Sequence, residues 1–363
     1  MNARWLKTAA VGLVLGASLS TANAADYAPP GRTIAYAVSD LRFGFYETAD
    51  AKEECPQGLN VTGPREIFKT LFPDDGTKRT IVDTQLEQVT ETWWPATSQN
   101  DFPFKEAGGK ISLGLNLDGK VKPSDFTSPD GTPGIDNQLF RATGCVSTYR
   151  TGNAIAKFDD DFFKRNNINR IMIVLTDVDS LENDDDVTIT TYRGRDGFVN
   201  NATGKAFLPG STQRLDLRWG KEFIHSAKGK IVNGVLTTEP MEVYLPHDTI
   251  GEAIIHWVRD GRFQLKLSPE KAEGVVGGYV DIDTVYRNRN RQWSPHHLSY
   301  GYQSPTDWYK AMRRLADAYP DPVTGENTAI SAAYDLKLIQ VRVVRDEEKV
   351  ATTSPSTNVA SAR

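Results

Sequence analysis

Oxygen-bearing side chains are concentrated between residues 114 and 145, where they alternate with glycines and prolines. The carboxylates and amides concerned are Asn116, Asp118, Asp125, Asp130, Asp136 and Asn137. Because Ca²⁺ takes six to eight oxygen ligands in a flexible shell, this composition is compatible with a calcium site. The alternative is turn formation alone, since Asn and Asp side chains often hydrogen-bond their own backbone. The sequence leaves both interpretations open.

The beginning of this stretch does not match an EF-hand. Asn116, Asp118, Gly119 and Asp125 fall on positions 3, 5, 6 and 12 of such a loop, but Gly114 occupies position 1. An Asp also replaces the Glu expected at the end. If an ion is bound, we therefore expect the second oxygen-rich turn, residues 130–137, to contribute to one shared site.

Other signatures of catalysis are absent from the sequence. There is no HExxH, no Cys/His zinc spacing, no GxSxG, no P-loop and no GxGxxG. A second acidic cluster, at residues 177–186, is more typical of a solvated loop. His256 alternates with apolar neighbours and is predicted to be structural. Tryptophans such as Trp93, Trp94 and Trp293 could stack on sugar rings if they are exposed.

The first 24 residues have the features of a cleaved signal peptide. Arg4 and Lys7 precede a short apolar run at residues 9–19, and residues 22–24 form a small-x-small cleavage site. The apolar run is too short to span a bilayer. We therefore expect residues 1–24 to be removed and the protein to be periplasmic or extracellular, with no transmembrane segment.

Charge and cysteine content limit the class of partner and the redox state. With 42 basic and 47 acidic residues, the chain lacks the cationic balance that nucleic acid requires. In an oxidising compartment Cys55 and Cys145 are predicted to form a disulfide, and two buried thiols are the alternative. The bridge would attach the acidic stretch to the amino-terminal part of the chain.

Short β-branched and aromatic runs separated by turn residues predict a mainly β protein, sandwich- or jelly-roll-like, with a few short helices. One helix is predicted near the C-terminus, at residues 304–319, where Trp308, Met312 and Tyr319 share an apolar stripe. Asp260-Gly261 is predicted to be a hairpin turn. The predicted strands are residues 33–48, 169–178, 186–192, 214–219, 230–238, 241–245, 252–258, 261–267, 274–281 and 334–344.

These elements predict one large domain over residues 25–345, followed by a disordered tail at 346–363. An alternative division places an N-terminal subdomain, residues 25–150, against residues 151–345.

Four segments spread over the mature chain resemble a group of exported bacterial proteins without an established function. They are ECPQGLN at 54–60, GLNLDG at 114–119, SPDGTPGIDNQLFRATGC at 128–145 and RLADAYPDPVTGENTAIS at 314–331. The resemblance implies a shared turn around residues 134–138, and it implies no catalytic or ligand-binding residue.

Three functions remain compatible with the sequence. The first is a non-catalytic, envelope-associated β module that binds a glycan, a lipid or an envelope protein through acidic loops, with Ca²⁺ as the candidate cofactor. The second is a secreted hydrolase of a polysaccharide or ester that uses carboxylates near Asp118, Asp130 and Asp136. The third is a structural partner in an exported assembly.

Overall fold

The computed structural model describes residues 33–61, 103–153, 171–204, 206–249, 252–292 and 305–344. The predicted signal peptide, the predicted disordered tail and the three tryptophans considered for sugar stacking lie outside these residues.

Within these ranges the chain is mainly β with few helices, as predicted. The strands are β1 (Thr33–Phe43), β2 (Phe126–Thr127), β3 (Pro133–Ile135), β4 (Ile171–Thr176), β5 (Asp184–Arg193), β6 (Ser211–Arg214), β7 (His225–Val232), β8 (Val235–Thr238), β9 (Met241–Thr249), β10 (Glu252–Leu267), β11 (Lys271–Asp281), β12 (Ala318–Pro320) and β13 (Asn327–Val344). The helices are α1 (Gln138–Thr143), α2 (Ile282–Gln292) and α3 (Pro305–Arg314), with single 3₁₀ turns at Ser147–Tyr149, Leu217–Trp219 and Lys221–Phe223. None of the described helices is long and apolar enough to cross a bilayer.

Eight antiparallel strands form a closed, barrel-like sheet. Their order is β1-β4-β5-β7-β8-β10-β11-β13, and β13 pairs with β1 to complete the circuit. Around this circuit, β9 extends the first half of β10, while β6 and β12 pair with opposite ends of β13. Because the sheet closes on itself, it is not clearly divided into the two layers of the predicted sandwich or jelly roll.

The core fills the space that this sheet encloses. Alternate side chains of each strand point inwards, and in β1 these are Ile34, Tyr36 and Val38, all buried. Trp308 and Met312 of α3 join the same cluster and are fully buried. The apolar stripe of the predicted helix is therefore core packing at these two positions.

The disulfide-bonded loops, residues 44–61 and 103–153, form a cap whose helix α1 packs against β13 and α3, with Leu139 and Ala142 in the core cluster. Two neighbouring residues attach the cap to β13: Asn137 Oδ1 accepts from Ala333 N at 3.3 Å, and Gln138 N donates to Ser331 Oγ at 2.9 Å. A Cβ on Gly277 of β11 would meet the Leu115 side chain at 3.2 Å. The missing side chain allows the cap to approach the sheet this closely.

The prediction of a hairpin turn at Asp260-Gly261 is wrong. Residues 252–267 form the single strand β10, and the register shifts at Asp260 and Gly261 against both neighbouring strands. One extra residue is accommodated as a β-bulge. The inward-facing side chains belong to even-numbered residues up to Val258 and to odd-numbered residues from Phe263 onwards. The sequence therefore shows the same break in alternation that a turn produces.

The predicted 304–319 helix is too long. In the structure α3 ends at Arg314, and Ala318–Pro320 pair with β13 as β12. Tyr319 has φ +55°, a left-handed conformation that an α-helix cannot contain. Its apparent place in the apolar stripe is therefore a coincidence of spacing.

Two further strand predictions also require correction. Residues 230–238 form parts of β7 and β8, joined at Asn233 and Gly234, which both have positive φ, as a tight hairpin turn requires. Residues 214–219 begin as the end of β6 and continue as a 3₁₀ turn, because the Asp216 side chain accepts from Arg218 N and caps that turn.

Candidate functional site

The first three predicted metal ligands act as turn-formers. Asn116 Oδ1 accepts from Gly119 N at 2.7 Å, Asp118 Oδ1 from Lys120 N at 2.9 Å, and Asp125 Oδ2 from Lys122 N at 2.6 Å. Each of these acceptor oxygens bonds a backbone N–H within three residues of its own position, and Asp118, which accepts from two residues on, forms an Asx turn.

The other three predicted ligands also accept hydrogen bonds within the cap, two of them locally and one, Asp136, from a residue 19 positions away. Asp130 accepts from Ser128 and Thr132, and Asn137 caps α1 by accepting from Phe140 N. Asp136 is buried and accepts from Leu117 N at 2.7 Å. Burial raises the pKa of Asp136 to about 6, and the charges of Asp118 and Asp125 act in the same direction.

In the part of the chain that the structure describes, no group of three or more His, Cys, Asp or Glu could hold a metal ion. The arrangement agrees with the turn-forming alternative, and calcium binding stays a prediction.

The predicted disulfide between Cys55 and Cys145 is present and lies beside a buried ion pair. Glu54 is fully buried, and its Oε1 accepts from Arg150 Nη2 at 2.6 Å and from Thr48 N at 2.9 Å. Burial acts to raise the pKa of Glu54, but the hydrogen bonds from Thr48 and Arg150 outweigh it and lower the pKa. All of these contacts join parts of the cap to one another.

The second acidic cluster is organised locally as well. Asp184 Oδ2 accepts from Asp179 N at 2.5 Å, and Asp186 pairs with Lys228 across β5 and β7 at 2.6 Å. The Asp186–Lys228 pair is well exposed on both sides. These contacts fit the solvated loop that the sequence predicts.

A different surface brings aromatic rings together on the outside of β9, β10 and β11. We call it the aromatic strip, and its members are Tyr244, Trp257, Arg259, Tyr279 and Tyr319, with Phe223 and His225 at one end. All seven are partly exposed.

Strand alternation places the strip opposite the core. Val243 and Leu245 of β9 and Val258 of β10 are buried inside the sheet, so Tyr244 and Trp257 point outwards. Register then sets the partners: Trp257 lies directly opposite Tyr244, and Arg259 directly opposite Tyr279. The β10 bulge follows Arg259 immediately.

The rings make a continuous series of contacts. The Tyr244 and Trp257 rings are parallel within 2°, with centroids 6.0 Å apart, and His225 stacks on Tyr244 at 5.2 Å. The Arg259 guanidinium lies 3.9 Å from the centroid of Tyr319 and 5.3 Å from that of Trp257. Tyr319 meets Tyr279 edge-on at 5.9 Å. Arg259 thus joins the two halves of the strip.

Carboxylates fix two of these rings in place. Glu242 accepts a hydrogen bond from Trp257 Nε1, and Asp260 accepts one from the Tyr319 hydroxyl at 2.7 Å. Asp260 and Tyr319 have φ of +50° and +55°. Two left-handed, non-glycine residues therefore meet at one hydrogen bond, and left-handed backbone in such residues is rare outside turns and functional sites.

The guanidinium of Arg259 contacts aromatic rings and one carboxylate, and two of its nitrogens make no hydrogen bond. Its closest carboxylate contact is Asp281 Oδ2 at 3.7 Å, and its Nε and Nη2 make no hydrogen bond. The ring of Tyr319 covers it. The strip therefore contains a cation of its own chain that is stabilised largely by aromatic faces.

No family model, curated protein or solved structure matches the chain. The arrangement of the aromatic strip is therefore the basis for a functional conclusion.

Sequence reasoning missed every aromatic member of the strip. Tyr244 and Trp257 alternate with buried residues, which identifies them as outward-facing once their strands are accepted. Tyr319 gives no such signal, because its position depends on a left-handed residue within β12. Placing the rings side by side also requires the strand register, which the sequence pattern does not contain.

Proposed function

We propose that the protein is a non-catalytic glycan-binding module that acts in the periplasm or extracellular space and uses the aromatic strip as its binding surface. The observation that supports this most directly is the parallel, partly exposed pair Tyr244 and Trp257, with Trp257 oriented by Glu242. Oriented aromatic faces beside hydrogen-bonding side chains suit sugars, which present apolar C–H faces and polar hydroxyl edges.

A glycan suits this surface better than a lipid does. Lipid binding would call for a wide apolar patch, whereas the strip interleaves its rings with Glu242, Arg259, Asp260 and Asp281. The exposed large apolar side chains of the described residues are scattered over other regions: Val61, Val121, Val199, Leu208, Val232, Val323 and Val344. The carboxylates of the hydrolase alternative are engaged in cap turns, so that alternative gains no support.

The test is a binding titration of the purified protein against neutral, basic and acidic oligosaccharides of equal length. We expect one class to bind, and Trp257→Ala to weaken that binding by about tenfold, which corresponds to ~1.4 kcal/mol. Leu208→Ala removes an exposed apolar side chain outside the strip and serves as the control. Absence of binding to all classes, or unchanged binding by Trp257→Ala, contradicts the proposal.

Export belongs to the same proposal and has its own test. Amino-terminal sequencing of protein recovered outside the cytoplasm should begin at Ala25. An intact residue 1 in that fraction would contradict removal of residues 1–24.

A further inference from the structure

We infer that the aromatic strip prefers glycans whose sugars carry protonated amines, such as glucosamine oligomers, over neutral or acidic glycans. This inference rests on the proposed function, because it names the ligand class of the same surface. It depends on which charged groups border the rings and on how each of them is already engaged.

Carboxylates border the strip along its length. Glu242 bonds Trp257, Asp260 bonds Tyr319, and Asp281 faces Arg259. The tyrosines show the same field: burial and then the charges of Glu242 and Glu222 raise the pKa of Tyr244. At the other end, burial and then the hydrogen bond to Asp260 raise the pKa of Tyr319 to about 12.

The two arginines at the strip do not offset this field for an incoming anion, and the Nε2 of His225 is engaged with Glu222 O at 2.7 Å. Arg259 is 15% exposed, lies beneath Tyr319 and faces Asp281. Arg262, on the next outward position after the bulge, donates to Leu117 O of the cap at 2.6 Å. An acidic sugar would therefore meet carboxylates before it met a cation, and like charges brought together disfavour binding.

Arg259 also shows that these rings accept a cation. Its guanidinium stacks over Tyr319 and approaches Trp257 within the distance at which cation–π attraction acts. An ammonium group on a stacked pyranose would find a ring face beneath it and the carboxylates of Glu242 and Asp260 at the ring edges, where they accept from Trp257 Nε1 and the Tyr319 hydroxyl. Acetylation of that amine removes the charge but leaves the ring for stacking.

The experiment compares three hexasaccharides at pH 6 and low salt: glucosamine, N-acetylglucosamine and galacturonic acid. We expect the glucosamine hexamer to bind at least about tenfold more tightly than the acetylated one, and the galacturonic acid hexamer to bind weakest. Added salt should reduce the difference between the glucosamine and acetylated hexamers, because screening weakens exposed charge interactions.

A matched double variant separates charge from stacking. Glu242→Gln with Asp260→Asn keeps a carbonyl acceptor for Trp257 and Tyr319, and Asn tolerates the positive φ at position 260. We expect the preference for the amine, measured as the ratio of the dissociation constants of the acetylated and free-amine hexamers, to fall to about threefold or less, because the two negative charges are removed. Trp257→Ala should weaken both, and Glu326→Gln, which removes an exposed carboxylate outside the strip, should change neither.

The outcomes distinguish this inference from the proposal it rests on. Equal binding of the acetylated and free-amine hexamers, or a preference that survives in the double variant, overturns the inference and leaves glycan binding intact. Tighter binding of the galacturonic acid hexamer also overturns it. Absence of binding to all three hexamers and to neutral glucans contradicts the proposed function itself.

Discussion

In the cap, Glu54 is fully buried and its oxygens accept hydrogen bonds from Thr48 and Arg150, whereas in the aromatic strip Glu242 and Asp260 border solvent and each hold one ring. The cap uses its acids to join its own loops. The strip uses its acids to orient aromatic faces that remain partly exposed. The presence of acidic residues alone is thus a poor guide to a binding site. The group from which each carboxylate accepts a hydrogen bond is more informative.

The largest effect that tests this comparison is loss of the disulfide. Replacing Cys55 and Cys145 together by alanine removes a cross-link with a sequence separation of 90 residues, and we expect a loss of about 4–5 kcal/mol in the free energy of unfolding. Denaturant titration measures it. Glycan binding at a temperature where the variant stays folded should be unchanged, and its loss would show that the cap and the strip depend on each other.

The second largest effect tests whether the cap's acids are structural. Glu54→Ala leaves the buried guanidinium of Arg150 without its carboxylate, and we expect a loss of about 3 kcal/mol. Asp50→Asn, in an ion pair whose two side chains are well exposed, is the control and should change stability little. Equal effects of the two substitutions would remove the distinction drawn between buried and exposed carboxylates.

Much of the strand content could be predicted from the sequence, and the closure of the sheet could not. Alternation and apolar runs locate β4, β9, β11 and β13, because those patterns depend on neighbouring residues. Closure depends on β1 pairing with β13, for example Tyr36 with Gln340, and nothing local encodes that pairing. The disulfide was predictable because the chain has two cysteines and its first 24 residues predict export.

The candidate site was harder to predict because it depends on two irregularities. The bulge at Asp260 and Gly261 produces the same sequence signal as a hairpin turn. Tyr319 continues a helical spacing that the backbone abandons at Arg314. Both irregularities place side chains on the strip, so the positions where pattern reasoning fails are the ones that the proposed site uses.

A smaller effect concerns the pH dependence of the cap. The pKa of Asp136 is about 6 in the folded protein, above its ordinary value of 3.8, so the folded state binds the proton more tightly than the unfolded state does. Stability from this group is therefore present at pH 4 and lost as the pH rises through 6. Asp136→Asn should stabilise the protein by about 1–2 kcal/mol at pH 7 and by less at pH 4.

Thermal melts of both proteins between pH 4 and pH 7 measure this effect. The variant should also show a flatter pH dependence, because the asparagine keeps an acceptor for Leu117 N without titrating. Burial raises the pKa of Asp317 and of Asp335 as well, so some pH dependence in the same direction remains. Identical pH profiles for the two proteins would contradict the assignment to Asp136.

The smallest expected effect decides between the two interpretations of residues 114–145. Oxygens of Asn116, Asp118 and Asp125 accept from nearby backbone N–H groups, so binding an ion would require them to exchange hydrogen bonds for metal ligands. We therefore expect a chelator, or added Ca²⁺, to shift the melting temperature by less than about 1 °C. A calcium ion that bound only the folded state would raise the melting temperature, and its removal would lower the melting temperature. A shift of several degrees would assign the cap a calcium site. The cap would then be stabilised by an ion, whereas the carboxylates of the strip orient aromatic rings. The amine preference of the strip would need to be measured again in the presence of calcium.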